Sequence, residues 1–436
     1  MKLVNIFILA AAITFLISCN TVDPPDKSVL TLTLEDVSCT EAWITLTTNN
    51  LQLPATLNLL KDNTITKTIN LQTADTLLYI DSLLPNQTYK FHSVIQSINH
   101  SSNEISVTTF DTTSHDFTLQ TITFGEHGNS VLFDVAIVGD EIWAVGQIYM
   151  KDSLGNPDNN AYNAVHWDGS GWELKRISVN YNGNIITPPL FGVFAFSNNE
   201  IWLSSGVPIK GDGNNWTQYH LFDMGVLNQS DGYLTKIWGS SSSDLYYSGT
   251  LGTIAHWNGS NWTKIESGTN VNLRDISGQG EDIFITGYSL DYSKSALLRL
   301  ENNNVEVIWE NSSLSGTPPY GSLVFANKVL NNNLFVASSN GVYQDKLKIK
   351  HPRKQLFYSS GAINRIAGTG VNDLFTVGDW SNVWHYNGLN SRLIHSEQNT
   401  TSRFHSAAAK DNIFTAVGMR VENVIYHKAT ILIGRR

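Results

Sequence analysis

Val165-His166-Trp167-Asp168-Gly169-Ser170-Gly171-Trp172 comes back along the chain in altered form. Ala255-His256-Trp257-Asn258-Gly259-Ser260-Asn261-Trp262 is its clearest second copy. Ile209-Lys210-Gly211-Asp212-Gly213-Asn214-Asn215-Trp216 keeps the turn and loses one aromatic, and Trp384-His385-Tyr386-Asn387-Gly388 is a weaker copy. Each has the form of a strand end, an Asn/Asp-Gly turn that accepts positive φ, and a large aromatic opening the returning strand. A hairpin that repeats in this way predicts a repeat architecture and says little about chemistry.

Working outward, a second repeated element has the form apolar-aromatic-x-x-small-Gly. Copies begin at Ile142-Trp143, Ile201-Trp202, Leu245-Tyr246, Ile283-Phe284, Leu334-Phe335, Leu374-Phe375 and Ile413-Phe414. Their spacing of about 38–59 residues is the range of four-stranded propeller blades, and seven copies predict seven blades. The last copy is followed by one more strand and then the end of the sequence, so its outermost strand is missing. Residues 117–124, Phe117-Thr-Leu-Gln-Thr-Ile-Thr-Phe124, have the aromatic-first pattern of an outer strand and are expected to pair with the last blade, removing an open edge.

Composition agrees with an all-β chain. Of 436 residues, 15% are charged and 11% aromatic, with 32 glycines. The formal charge of −10 and the lack of a Lys/Arg run argue against a nucleic-acid partner. The expected fold is all-β: a small β-sandwich followed by a seven-bladed β-propeller.

The N-terminus carries an address. Lys2 precedes an apolar run, Leu3 to Ile17, that is short for a membrane span. The run ends in Leu16-Ile17-Ser18-Cys19, which resembles the lipobox of bacterial lipoproteins. The resemblance implies that residues 1–19 are a lipoprotein signal with its lipobox, cut before Cys19, which keeps a lipid on its thiol, hence a membrane partner. Asn20 after it favours the outer membrane. Residues 20–27, with Pro24-Pro25, form a short stiff tether. With Cys19 lipidated, Cys39 has no partner and no disulfide forms.

Residues 28–112 predict seven short strands. Within them, Leu84-Pro85-Asn86-Gln87-Thr88-Tyr89-Lys90-Phe91 resembles the fibronectin type III corner, in which a Tyr hydroxyl pins the turn. Such domains in bacterial surface proteins are mostly spacers. Residues 113–436 resemble propeller repeats of bacterial surface lipoproteins, often from Bacteroidetes-like lineages and sometimes labelled glucosyltransferases. That label has no support here, because sugar-nucleotide transferases need βα units that this sequence lacks.

Candidate site residues come from two places. Inner strands carry charge at matching positions: Asp134 in Leu-Phe-Asp-Val, Lys236 in Leu-Thr-Lys-Ile, Asp275 in Leu-Arg-Asp-Ile and Arg365 in Ile-Asn-Arg-Ile. They are expected near the channel mouth, either orienting a polar ligand or pairing between blades, as Lys236 with Asp275. Asp134 and Asp275 could also act as a glycosidase acid and base. Tyr149, Tyr162, Tyr181 and Tyr320, in segments expected to be long loops on one face, are candidates for stacking on a sugar ring. Asp152, Asn156, Asp158 and Asn159 offer oxygen ligands for calcium without the helix-loop-helix spacing. His166, His256 and His385 fall on different blades and are expected to pack blades, not to share a zinc ion. No catalytic elbow, Walker loop or Cys-x-x-Cys occurs, and neither a metal nor a cofactor is expected. The leading expectation is a lipid-anchored envelope binding protein for a glycan or protein ligand. The alternatives are a carbohydrate-active hydrolase or lyase, and a scaffold subunit of an envelope complex.

Overall fold

The computed structural model describes residues 29–359, 361–397, 401–422 and 426–436. The lipobox with Cys19 and the tether lie outside the described residues. The chain divides into two compact units.

The smaller unit holds residues up to 36, 42–80 and 88–108. It has two antiparallel sheets. One joins Val29–Val37, Ala42–Asn49 and Asp75–Ile80; the other joins Thr64–Leu71, Ala55–Lys61, Thr88–Ile95 and His100–Ser101, with Ile105–Thr108 also on Thr88–Ile95. Alternate residues are buried along the strands, including Leu30 and Leu32, Leu57 and Leu59, and Phe91, as expected where one face of each sheet is covered. Trp43 is buried against Tyr79, with ring centroids 5.6 Å apart.

The larger unit holds residues 37–41, 81–87 and 109–436. Among its described residues, seven four-stranded antiparallel sheets follow one another along the chain. Their first strands are Val131–Val138, Gly192–Ser197, Leu234–Ser241, Asn272–Gln279, Val324–Leu330, Ile363–Gly370 and Arg403–Lys410. Each packs on the next, and Val131–Val138 also packs on Arg403–Lys410, so the sheets form a closed ring with these strands innermost. This is a propeller-type fold, and its core is a series of apolar layers between neighbouring blades. In the seventh blade the fourth strand is Thr118–Phe124, which pairs antiparallel with His427–Arg435. Chain segments from both ends of the unit thus share one sheet, and the ring has no open edge there.

Both repeated motifs have local physical causes. In the hairpin, the Asp168 carboxylate accepts the N–H groups of Ser170 at 2.8 Å and Gly171 at 2.9 Å, while Gly169 takes φ 95°. These bonds, that from Gly171 foremost, pull the Asp168 carboxyl down to about 2. Asp212, Asn258 and Asn387 close the same turn in three other blades.

The aromatic motif is a stacking platform. His166 lies on Trp143 with centroids 4.0 Å apart and bonds Glu141 at 2.8 Å. His256 repeats this with Tyr246 and Asp244, and His385 with Phe375 and Asp373. Lys210 with Glu200 over Trp202, and Arg299 with Asp282, take the same places in two further blades. Each histidine is engaged within its own blade.

Candidate functional site

The inner strands are not regular where they reach one face of the ring. In six blades the ladder between first and second strand skips one residue, a β-bulge. The skipped residues are Phe133, Thr235, Arg274, Phe325, Asn364 and His405. A bulge turns the extra side chain away from the normal alternation. All six line a single cavity of about 750 Å³, and Phe191 joins them from the second blade, whose ladder runs unbroken from Gly192 to Ala195. Ser205, Gly206, Thr250 and Tyr292, from loops joining second to third strands, also line it. The cavity therefore lies on the face from which those loops emerge.

The bulge explains the glycine that ends the aromatic motif. Gly146, Gly249, Gly287, Gly378 and Gly418 each lie opposite a bulge. A Cβ at Gly249 would sit 1.9 Å from the Tyr233 carbonyl oxygen, and one at Gly146 would sit 2.0 Å from that of Val131. The bulged backbone is pushed into the space a side chain would need. This glycine was the sequence signal for the mouth residues. It marks the second residue of Leu-Phe-Asp-Val, Leu-Thr-Lys-Ile, Leu-Arg-Asp-Ile and Ile-Asn-Arg-Ile, where the charge pattern marks the third.

Those third residues lie deeper, and of the four only Lys236 lines the cavity. Asp134 and Asp275 are buried. The Lys236 ammonium is 3.3 Å from Asp134, which also accepts the Ser406 hydroxyl. Arg365 pairs directly with Asp275, whose other oxygen accepts the Asn327 N–H at 3.1 Å. Asp275, with Asp134 behind it, holds the Arg365 guanidinium charged despite burial. The expected pairing of Lys236 with Asp275 is corrected: its ion pair is with Asp134. Both carboxylates are covered by cations, which is a poor setting for the free acid and base of a glycosidase.

Lys328 lies in the same interior. Burial first, then Arg365, lowers its amine to about 8.

The four tyrosines do not meet at the cavity. Tyr320 is corrected from loop residue to core residue. It is 0% exposed, packed between Trp309 and Tyr343, and its hydroxyl donates to Asp345 at 2.8 Å. A ring with no free face cannot stack on a sugar. Tyr162 lies under the Arg176 guanidinium at 3.9 Å, Tyr181 stacks on His220 at 4.5 Å, and Tyr149 packs near His127. In the loop considered for calcium, Asp152 and Asp158 cap turns through backbone N–H groups, and Asp158 also holds Arg176 at 2.6 Å. Among the described residues no group of three or more His, Cys, Asp or Glu side chains is placed to hold a metal ion.

Electrostatics single out the mouth. Arg274, Arg403, Lys236 and His405 line it, and among the described residues no Asp or Glu does. His405 is pushed down to about 4 by burial, then by Arg403 and Lys236, so it is neutral at pH 7. Arg403 has Asp379 at 3.8 Å. Arg274 rests on Tyr288, 5.1 Å from the ring centroid, and its buried Nε has no hydrogen-bond partner. A second groove of about 620 Å³ differs: its Lys264 is held by Asp231 and Glu266, each at 2.8 Å.

No family model matches the chain, and no curated protein matches it. Among solved structures it is similar to YCF48 bound to D1 peptide, with 14% identity and a TM-score of 0.53, over 75% of this chain and 100% of that one. The computationally designed Ika8 protein aligns at 12% identity with a TM-score of 0.46, over 72% of this chain and 98% of that one. The likeness to YCF48 is one of fold.

Proposed function

We propose that this chain is a non-catalytic binding module of the cell envelope, and that the mouth of the propeller holds a segment of another protein. The observation that carries the proposal is convergence: six blades each use a bulge to aim one side chain into the same cavity. Because the bulges stand at equivalent positions of the repeat, closing the ring brings their six side chains to one point. The cavity is concave, with Phe133, Phe191 and Phe325 beside a few polar groups, the usual make-up of a ligand site. The peptide named with the fold neighbour YCF48 supports a protein ligand over a glycan.

In this proposal the chain is tethered to the outer membrane through lipid on Cys19, and the smaller unit is a fibronectin type III-like spacer. Metabolic labelling with a fatty-acid analogue tests the anchor; label that persists in Cys19→Ser would sink it. For the ligand, the full chain is screened against arrays of short random peptides and of glycans, beside the Phe133→Ala/Phe325→Ala variant. Peptide binding that the variant loses supports the proposal. Binding to glycans alone, or binding indifferent to the variant, overturns it.

A further inference from the structure

The mouth holds a cation without a counter-ion among the described residues, and this specifies the ligand more narrowly than convergence does. Resting on the peptide-binding proposal above, we infer that the group seated in the mouth is a carboxylate of the bound peptide and that Arg274 is its seat.

The inference starts from which cations are already engaged. Lys236 has Asp134 at 3.3 Å, Arg365 has Asp275, and Arg403 has Asp379 at 3.8 Å. Arg274 has no ion pair and no hydrogen bond among the described residues, and its Nε is buried. An anion seated in the cavity would give this guanidinium the charge partner it lacks.

The position is also built. Arg274 is the bulged residue of its blade, so the backbone sets its direction, and its guanidinium carbon lies over the Tyr288 ring, 5.1 Å from the centroid. A guanidinium is planar and offers parallel N–H groups that match the two oxygens of a carboxylate. Among the described residues no acidic side chain lines the cavity to compete.

The chain's net charge is −10, so this cationic mouth is local and not a reflection of overall composition. A single unengaged cation balances one carboxylate; a phosphate, at roughly twice the charge, calls for more. Phe133, Phe191 and Phe325 around it suit an apolar side chain next to the acid.

A peptide carboxylate comes from its C-terminus or from Asp and Glu. The test uses the full chain and four pools of short random peptides: C-termini free or amidated, each made with or without Asp and Glu. Binding is read by fluorescence anisotropy. At least one carboxylate-bearing pool should bind, and the amidated pool without Asp or Glu should bind at least ~10-fold more weakly.

Preference for free C-termini identifies the terminal carboxylate, and preference for Asp and Glu identifies the side chain. Arg274→Gln should lose the same factor or more, Arg274→Lys should recover part of it, and Arg392→Gln, outside the cavity, should leave it unchanged. Circular dichroism checks that each variant is folded. Equal binding of all four pools, or wild-type binding by folded Arg274→Gln, overturns the carboxylate and leaves peptide binding standing. No binding by any pool overturns both.

Discussion

Residues one position apart on the same inner strand are put to opposite uses. Phe133 and Arg274, at the bulges, face the cavity; Asp134 and Asp275, next in sequence, are buried. In the deeper layer Lys236 reaches Asp134 and Arg365 reaches Asp275. The mouth layer leaves Arg274 without a counter-ion. The lesson is that a register shift of one residue separates a layer that ties blades together from a layer proposed to meet a ligand. Side-chain periodicity of two makes so small a shift decisive.

The comparison is broken most severely at the glycines that admit the bulge. Gly249→Ala places a Cβ against the Tyr233 carbonyl, and we expect a loss of ~3 kcal/mol or more in chemical denaturation. Gly171→Ala, with nothing within 4 Å of its Cβ, should change stability by no more than ~0.5 kcal/mol. Equal effects would mean that close approach of the bulged backbone is not what selects glycine.

The deeper layer comes next. Asp275→Asn leaves Arg365 buried without its charge partner, at an expected cost of about 3–5 kcal/mol. Replacing both partners, Asp275→Leu with Arg365→Met, should recover most of that loss in the same assay. If the double variant is no better than the single, the pair does more than satisfy itself.

At the mouth the balance reverses. Phe325→Ala removes a partly buried ring that touches Tyr288, with centroids 5.9 Å apart, and should cost only about 1 kcal/mol of stability. Its effect on peptide binding should be the larger one, ~10-fold by anisotropy. A variant that unfolds before it loses ligand would place Phe325 in the structural layer.

The remaining effect is a pH dependence. His405 has a folded value of about 4 against about 6.5 unfolded. Between those values the unfolded chain binds the extra proton, so wild-type stability falls as pH drops from about 6.5 to about 4, and this contribution levels off below. In His405→Gln that part of the fall should vanish, measured as the difference between the two denaturation series. Parallel curves would show that His405 is not held neutral by burial.

Much of the propeller was legible without coordinates. Asp168-Gly169 and its copies specify turns through their own side-chain bonds, and a local cause leaves a local signal. The Ile142-Trp143 motif and its copies likewise mark the second strand of each blade, because a buried stacking platform needs an aromatic at a fixed register.

The candidate site was legible only in part. Charge in the inner strands drew attention to Asp134, Lys236, Asp275 and Arg365, close to the site but on its inner side. Arg274 stood in the quoted Leu-Arg-Asp-Ile, yet plain alternation gave no reason to prefer it to Asp275. Tyr320 misled for a related reason: a tyrosine in a segment without strand pattern suggests a surface loop, and nothing in sequence announces Trp309, Tyr343 and Asp345 around it.

By itself, then, the sequence determined an all-β repeat chain, with its hairpins and stacking motifs, because those depend on residues a few positions apart. The tertiary structure alone decided which face of the inner strands meets the cavity. That choice depends on a bulge, on the glycine across the ladder that makes room for it, and on the closure of the ring that brings side chains from six blades to one point. Residues more than 250 positions apart, such as Phe133 and His405, become neighbours with rings 5.8 Å apart only when the circle is complete.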